Sequence, residues 1–147
     1  MNGVLPPLAE GIQRPGSGSV MAVILIIEDD KDSCDMLARF LGRSGHTVFC
    51  ARNGREAINL LTENTPQVLL LDLTMPEMDG LSFLEVLRSY IRWSTLPVML
   101  MTGVGDDLVL DKARDLGVKK IFRKAEFKLD DLLEAINQFA VEVPKPE

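Results

Sequence analysis

Polar residues that could do chemistry follow short apolar runs at four places along the chain. The runs are rich in branched aliphatic residues, which is typical of strands buried on both faces of a parallel sheet. In such sheets ligands bind just beyond the carboxyl ends of the strands, so we expect these polar residues to converge at one edge. They are Glu28-Asp29-Asp30 after residues 23–27, Asp72 after residues 68–71, Thr102 after residues 98–101, and Lys124 after residues 118–123.

The carboxylates in this set need a compensating charge. An ionised Asp at the end of an apolar strand is costly, and clustered acidic groups raise one another's pKa values. Mg²⁺ relieves both problems, since it prefers one or two carboxylates together with waters and a phosphate. The Lys124 ammonium suits a phosphate, the Thr102 hydroxyl can donate to it, and Gly103 permits close approach. The set predicts a site that holds a phosphoryl group against Asp72.

The elements that must position these residues alternate regularly. Residues at helical spacing follow each apolar run, and Gly, Pro and Asn-Gly mark the turns. The pattern predicts an α/β fold of five βα units, a (βα)5 doubly wound five-stranded parallel sheet with right-handed crossovers. The predicted strands cover residues 23–27, 46–51, 67–73, 98–101 and 118–123, and the last three predicted helices cover residues 80–90, 106–116 and 129–140.

The two ends of the chain lack this periodicity. Turn-rich residues 1–21 predict a flexible leader, residues 22–140 a single domain, and residues 141–147 a tail that frays. The chain ends soon after the last helix, so we expect no room for a DNA-binding or enzymatic output domain.

Composition excludes several classes of protein. A formal net charge of −6 over 147 residues argues against a nucleic-acid-binding surface. No apolar run approaches the roughly 20 residues that span a bilayer, and no signal peptide is evident, so we expect a cytoplasmic protein. Cys34 and Cys50 lack CxxC or zinc-finger spacing and are expected to be buried free thiols, and His46 is expected at the surface.

These motifs resemble the response-regulator receiver domain (CheY-like, two-component signalling). The resemblance covers roughly residues 22–140 and rests on the acidic cluster, Thr102-Gly103, Lys124 and the nine residues from Asp72 to Gly80, Asp-Leu-Thr-Met-Pro-Glu-Met-Asp-Gly. This nine-residue stretch is highly specific to the family. The resemblance implies a flavodoxin-like sheet with strand order 2-1-3-4-5.

The resemblance also implies roles for the site residues. Asp72 would accept a phosphoryl group as an acyl phosphate, while Thr102 and Lys124 would hold the phosphoryl oxygens. Apart from the resemblance, the Asp79-Gly80 pair predicts that Asp79 ends the loop and caps the third helix. The metal-binding residues implied for Mg²⁺ are Asp29, Asp72, the backbone carbonyl of Thr74, and Glu28 through a metal-bound water.

The partners implied are those of a signalling domain. The donor would be a sensor histidine kinase or a phosphotransfer protein, and a downstream protein would bind the fourth helix, fifth strand and final helix, roughly residues 104–140. A homodimer is possible, and we expect neither nucleic acid nor membrane as a direct partner. Such a domain is not an enzyme, since it assists only its own phosphorylation and dephosphorylation.

Two positions depart from the family pattern. Ala125 stands where the family usually has Pro after the Lys, and a cis bond before Ala would cost about 2.5–4 kcal/mol. We therefore expect a trans or shifted loop that could move Lys124. Ile121 stands where the family usually has a switching Tyr or Phe, and alternation along the strand sends Phe122 to the opposite face. The readout through Thr102 is thus left open.

Two other functions remain as alternatives. A phosphorylation-independent interaction domain of receiver fold would explain the changes at Ile121 and Ala125. A haloacid-dehalogenase-like phosphatase also uses a nucleophilic Asp and Mg²⁺, but it needs a second acid two residues later, where Thr74 stands. An EF-hand is excluded because the acidic run lacks the required Gly and final Glu. Thr74 and Val104 lie where the family tunes the lifetime of the phosphoryl group.

Overall fold

Five parallel strands form one sheet in the computed structural model, which describes residues 20–75, 79–103 and 107–142. A separate antiparallel pair joins the first and last strands. Counting only the large sheet, the spatial order is 2-1-3-4-5, which confirms the predicted topology. The strands are β1 (Val20–Met21), β2 (Val23–Ile27), β3 (Thr47–Ala51), β4 (Val68–Asp72), β5 (Val98–Thr102), β6 (Lys120–Arg123) and β7 (Val141–Glu142).

A helix follows each of the five sheet strands. None of the described helices is long and apolar enough to cross a membrane. The fifth sheet strand begins two residues later than predicted because the Val118 N–H still closes the preceding turn on the Ala113 carbonyl. The helices are α1 (Lys31–Arg43), α2 (Gly54–Glu63), α3 (Gly80–Ser89), α4 (Asp107–Asp115) and α5 (Leu129–Asn137), with a short 3-10 turn at Ile91–Trp93.

The sheet separates two apolar layers. Alternate side chains of the strands pack against α2, α3 and α4 on one face and against α1 and α5 on the other. All five residues of β4 are buried, as a central strand covered on both faces requires. Burial of one such Leu side chain contributes about 1.5–3 kcal/mol. This packing fixes the position of Asp72 at the carboxyl end of β4.

The turn after β4 is held by Asp79 and Gly80. Asp79 caps α3 by accepting a hydrogen bond of 2.8 Å from the Leu81 N–H, as the sequence predicts, and a second from the Ser82 hydroxyl at 2.9 Å. A Cβ at position 80 would lie 2.7 Å from Leu73 Cα and 2.9 Å from the Asp72 carbonyl oxygen. The backbone of α3 can approach that of β4 only at a glycine. Residues 76–78 lie outside the described part of the chain.

The terminal strands correct one expectation about the chain ends. Val20 pairs with Glu142 and Met21 with Val141, so the prediction of fraying is wrong for Val141 and Glu142. The pairing also brings the end of the expected leader into contact with the expected tail. Residues 1–19 and 143–147 lie outside the described residues, and the leader remains a prediction there.

His46 is buried, which contradicts the expected surface position. It is 1% exposed, its Nδ1 accepts a hydrogen bond of 2.9 Å from the Ala22 N–H, and its Nε2 lies 2.8 Å from Asn137 Oδ1. Because Nδ1 accepts, the proton of the neutral ring is on Nε2, which donates to Asn137. Sequence proximity gave no sign of a partner 91 residues away.

Cys34 and Cys50 form a disulfide, so the prediction of free thiols is wrong. Their Cα atoms are 6.5 Å apart, within the range that a disulfide spans. The bond links α1 to β3. Spacing alone could not reveal it, because only the packing of α1 against the sheet brings the two residues together.

Replacing His46 should remove a source of stability that depends on pH. Burial lowers the pKa of His46 below its usual 6.5, and the hydrogen bond to Asn137 offsets part of this effect. The unfolded chain takes up the proton first, so the contribution is complete above about pH 6.5 and is lost as the pH falls further. His46→Ala should cost about 1–3 kcal/mol in urea denaturation at neutral pH and less in acid. Lys112→Ala, at an exposed position, is the control, and an equal loss at both pH values would contradict the expectation.

An added methyl group at Gly80 should be far more damaging than one at Gly103. Gly80→Ala forces a Cβ against the backbone around Asp72 and should cost about 1–3 kcal/mol. Gly103→Ala places its Cβ where no other atom lies within 4 Å and should change stability by less than about 0.5 kcal/mol. Equal free energies of unfolding for the two variants would show that the close approach is not a real constraint.

Candidate functional site

Three carboxylates meet at the carboxyl edge of the sheet. Glu28 directly follows β2, Asp29 is the next residue, and Asp72 is the last residue of β4. One oxygen from each lies within 4.8 Å of the others. Glu28 and Asp72 are each 4% exposed, whereas Asp29 faces solvent. The structure therefore brings together the acidic residues that the sequence analysis selected, with one open side.

Lys124 reaches into this cluster from the end of β6. Its Nζ lies 2.9 Å from Asp72 Oδ2 and 3.3 Å from Glu28 Oε1. The Lys124 backbone N–H donates to the Thr102 carbonyl at 2.8 Å, which extends the β5–β6 pairing as far as the site. The described residues contain no cis peptide bond, so the Lys124–Ala125 bond is trans. The trans loop still delivers the ammonium to Asp72.

Thr102 stands between the acidic residues and Lys124. It is the last residue of β5, the strand between β4 and β6, and it is 2% exposed. Gly103 beside it is exposed, and a Cβ there would have open space around it. The edge of the sheet at this point has room for a small group.

Thr74 contributes an interaction that the sequence analysis did not identify. Its backbone N–H donates a 2.9 Å hydrogen bond to Asp72 Oδ1. One carboxylate oxygen of Asp72 is thus held by a backbone donor and the other by Lys124. The spacing of two residues is typical of Asx turns, so this contact could have been predicted from the Asp72-Leu-Thr sequence.

The charges of the site do not balance. The pKa of Glu28 is raised from 4.5 to about 7, first by burial and then by the hydrogen bond and the charge of Asp72, while Lys124 acts in the opposite direction. Burial lowers the pKa of Lys124, but the hydrogen bonds and charges of Asp72 and Glu28 together outweigh it, so the net shift is upward. The cluster therefore favours an additional positive charge, either a proton or a cation. The atoms that the three carboxylates offer to a cation are all oxygens, which are the ligands that Mg²⁺ prefers.

The fifth sheet strand, β6, carries Ile121, one of the two departures from the family pattern. Ile121 packs partly buried in the layer of α2, α3 and α4. Phe122 is 4% exposed in the layer of α1 and α5, where its ring lies 5.8 Å from that of Phe127. The expected alternation is therefore correct. Val104 lies outside the described residues.

Glu28→Gln should remove a loss of stability at high pH in the metal-free protein. Folding raises the pKa of Glu28 from 4.5 to about 7, so its favourable contribution is complete below about pH 4.5 and is lost as the pH rises through about 7. The shift corresponds to about 3 kcal/mol. Urea denaturation with a chelator should show a weaker decline from about pH 5 to about pH 8 in Glu28→Gln than in the parent.

The matched control is Glu85→Gln, at an exposed position on α3. Its stability should follow the parent curve at every pH. Identical pH dependence in Glu28→Gln and the parent would refute the assignment of the titrating group.

Comparisons with known proteins bear on the identity of this site. Residues 24–137 match the family described as the response regulator receiver domain. The chain is 35% identical over 116 residues to the transcriptional regulatory protein CrdR of Helicobacter pylori, an alignment that covers 79% of this chain and 54% of CrdR. It is 28% identical over 116 residues to sporulation initiation phosphotransferase F of Bacillus subtilis, with 79% of this chain and 91% of that protein covered.

Solved structures show the same architecture. The Mn²⁺-bound form of response regulator Rcp1 superposes with a TM-score of 0.67 at 25% identity, covering 80% of this chain and 90% of that one. The chain spans about half the length of CrdR and most of the length of phosphotransferase F. The matched family, the parallel sheet and the residues at its carboxyl edge agree, and the chain belongs to the response-regulator receiver domains, which are signalling domains of two-component systems.

Proposed function

We propose that this domain accepts a phosphoryl group on Asp72 from a sensor histidine kinase or a phosphotransfer protein. The observation that carries the proposal is the position of the Asp72 carboxylate, 2.9 Å from Lys124 Nζ and within 4.8 Å of the acidic oxygens of Glu28 and Asp29. A carboxylate placed between an ammonium and a cluster of oxygens that can hold a cation suits an incoming phosphoryl group, because the negative charge of that group would then meet positive charge on both sides.

Asp72 acts as the nucleophile in this proposal. One of its oxygens attacks phosphorus, the bond from phosphorus to the donor nitrogen breaks, and the nitrogen keeps the electron pair. The product is an acyl phosphate. The Thr74 N–H fixes the orientation of the carboxylate. The Lys124 ammonium and the Thr102 hydroxyl bind the phosphoryl oxygens, so catalysis is mainly positioning and electrostatic stabilisation.

The donor set of the site fits Mg²⁺. The residues that would hold the ion are Asp29, Asp72 and the Thr74 backbone carbonyl, with Glu28 acting through a water. Bound Mg²⁺ would neutralise the carboxylates and the charge on the phosphoryl oxygens. The cluster of three acidic residues and the Mn²⁺-bound form of the relative Rcp1 support this assignment. The raised pKa of Glu28 indicates that a cation would displace a proton.

The downstream partner would bind the face formed by α4, β6 and α5, roughly residues 104–140. An open groove of about 290 Å³ lies between β6 and α5, lined by charged side chains that include Lys120, Arg123, Glu126 and Asp131. Such a mixed polar surface suits a protein partner whose binding is switched by a shift between two conformations. Location in the cytoplasm and action as a stand-alone domain belong to the same proposal, and homodimers remain possible.

An interaction domain that works without phosphorylation is the second candidate. The observation in its favour is Ile121, which packs into the apolar layer at the position of the family's switching aromatic residue. The intact acidic residues and Lys124 favour the first proposal. The phosphatase alternative has no support from the site, because Thr74 replaces its second acid.

Phosphorylation should depend on Asp72 and on Mg²⁺. Incubation with phosphoramidate or acetyl phosphate plus Mg²⁺ should add the mass of one phosphate, and hydroxylamine should remove it, since acyl phosphates react with that nucleophile. Asp72→Asn should abolish the gain, and Lys124→Gln should slow it by about 10²-fold. Asp115→Asn, at an exposed position of α4, should behave as the parent.

Other outcomes of this experiment would each contradict the proposal. No gain of mass with any donor would favour the interaction domain. A gain that persists in Asp72→Asn would place the acceptor elsewhere. Multiple turnovers of small phosphate esters would indicate a phosphatase.

A further inference from the structure

A disulfide bond connects α1 and β3, and each of these elements is hydrogen-bonded to the acidic segment 28–30. Cys34 lies in α1, and its N–H donates a 3.0 Å hydrogen bond to the Asp30 carbonyl. Cys50 lies next to Ala51, whose carbonyl accepts a 2.9 Å hydrogen bond from the Glu28 N–H. Each cysteine is therefore close to one end of the segment 28–30. The disulfide and the two hydrogen bonds together close a ring of which this segment is a part.

This ring restrains the position of the carboxylates. Without the cross-link, α1 and β3 have no covalent link at this point, since the two cysteines are 16 positions apart along the chain. With it, the start of α1 and the end of β3 are fixed relative to each other. Because Glu28 and Asp29 lie between these two ends, their distance from Asp72 depends on the same restraint.

The cross-link has one exposed end. β3 is an edge strand of the sheet, and Cys50 is an exposed residue, while Cys34 is 5% exposed. We therefore expect an incoming thiol to approach from the side of Cys50, because Cys34 is shielded by the core. Accessible disulfides of this kind are the ones that reduce and re-form readily. In a reducing compartment, disulfides are usually transient or redox-sensing.

We propose that Cys34 and Cys50 form a redox-responsive pair, and that the disulfide tightens binding of a divalent cation by Glu28, Asp29 and Asp72. The coupling rests on the proposed metal site. The oxidant is a low-molecular-weight disulfide such as oxidised glutathione. The Cys50 thiolate attacks it and releases one glutathione. The Cys34 thiolate then displaces the second from Cys50. Two electrons pass to glutathione, and the two thiol protons end on the released thiols.

The first test follows the thiols themselves. The full chain is equilibrated in buffers that differ in the ratio of reduced to oxidised glutathione. Free thiols are then alkylated and the intact mass is measured. The fraction of chains that carry the disulfide should change with the ratio. The oxidised form should unfold at a temperature about 5 °C or more above the reduced form, since the cross-link restricts the unfolded chain. A pair that never oxidises, or that resists millimolar reduced glutathione in the native protein, would overturn the redox assignment.

The second test measures the affinity for Mn²⁺ by calorimetry in both redox states. The oxidised parent should bind about threefold or more tightly than the reduced parent. Cys50→Ser, changed at the exposed position, should bind as the reduced parent under both conditions. Equal affinity of the two parent forms would overturn the coupling. Absence of Mn²⁺ binding in both forms would refute the proposed metal site and the coupling together, while the thiol titration would still decide the redox pair.

Discussion

The ion pair between Lys124 and Asp72 is the interaction on which the site depends. Two carboxylates buried side by side repel each other, and removing them from water is costly unless a positive charge compensates. Lys124 supplies that charge at 2.9 Å from Asp72 and 3.3 Å from Glu28. It does not complete the neutralisation, because the pKa of Glu28 still rises to about 7. In the proposed function, the remaining imbalance is what would draw a cation to the cluster and, after it, a phosphoryl group.

The fold supplies the rigidity that this arrangement needs. β4 is buried along its whole length, so the depth of Asp72 is set by packing on both faces. The turn beyond it is fixed by the Asp79 cap and by the close approach of Gly80 to the β4 backbone. On the other side, the backbone bond from Lys124 to Thr102 ties the end of β6 to β5. The Asp72 carboxylate is thereby held in one position at the edge of an apolar sheet.

Polar links between distant segments hold both helical layers. In the layer of α1 and α5, His46 joins Ala22 to Asn137, and the disulfide joins α1 to β3. In the opposite layer, the Arg88 guanidinium donates to the carbonyls of Leu116, Trp93 and Leu96 at 2.7, 3.0 and 2.7 Å. Each link involves only one or two side chains, so each can be altered without dismantling the sheet. The disulfide is the one among them that thiol–disulfide exchange would break.

Local patterns of residues were enough to predict the fold class and the residues at the carboxyl edge, and the resemblance to a known family was enough to predict the strand order. Apolar periodicity reports local structure, and the family motif from Asp72 to Gly80 places it in a known topology. The folded chain was needed to establish the positions of His46, Cys34 and Cys50, and the pairing of Val20–Met21 with Val141–Glu142. Their partners lie 16 to more than 100 residues away, and neither residue type nor local spacing encodes such a contact. It arises when the packing of helices on the sheet brings the segments together.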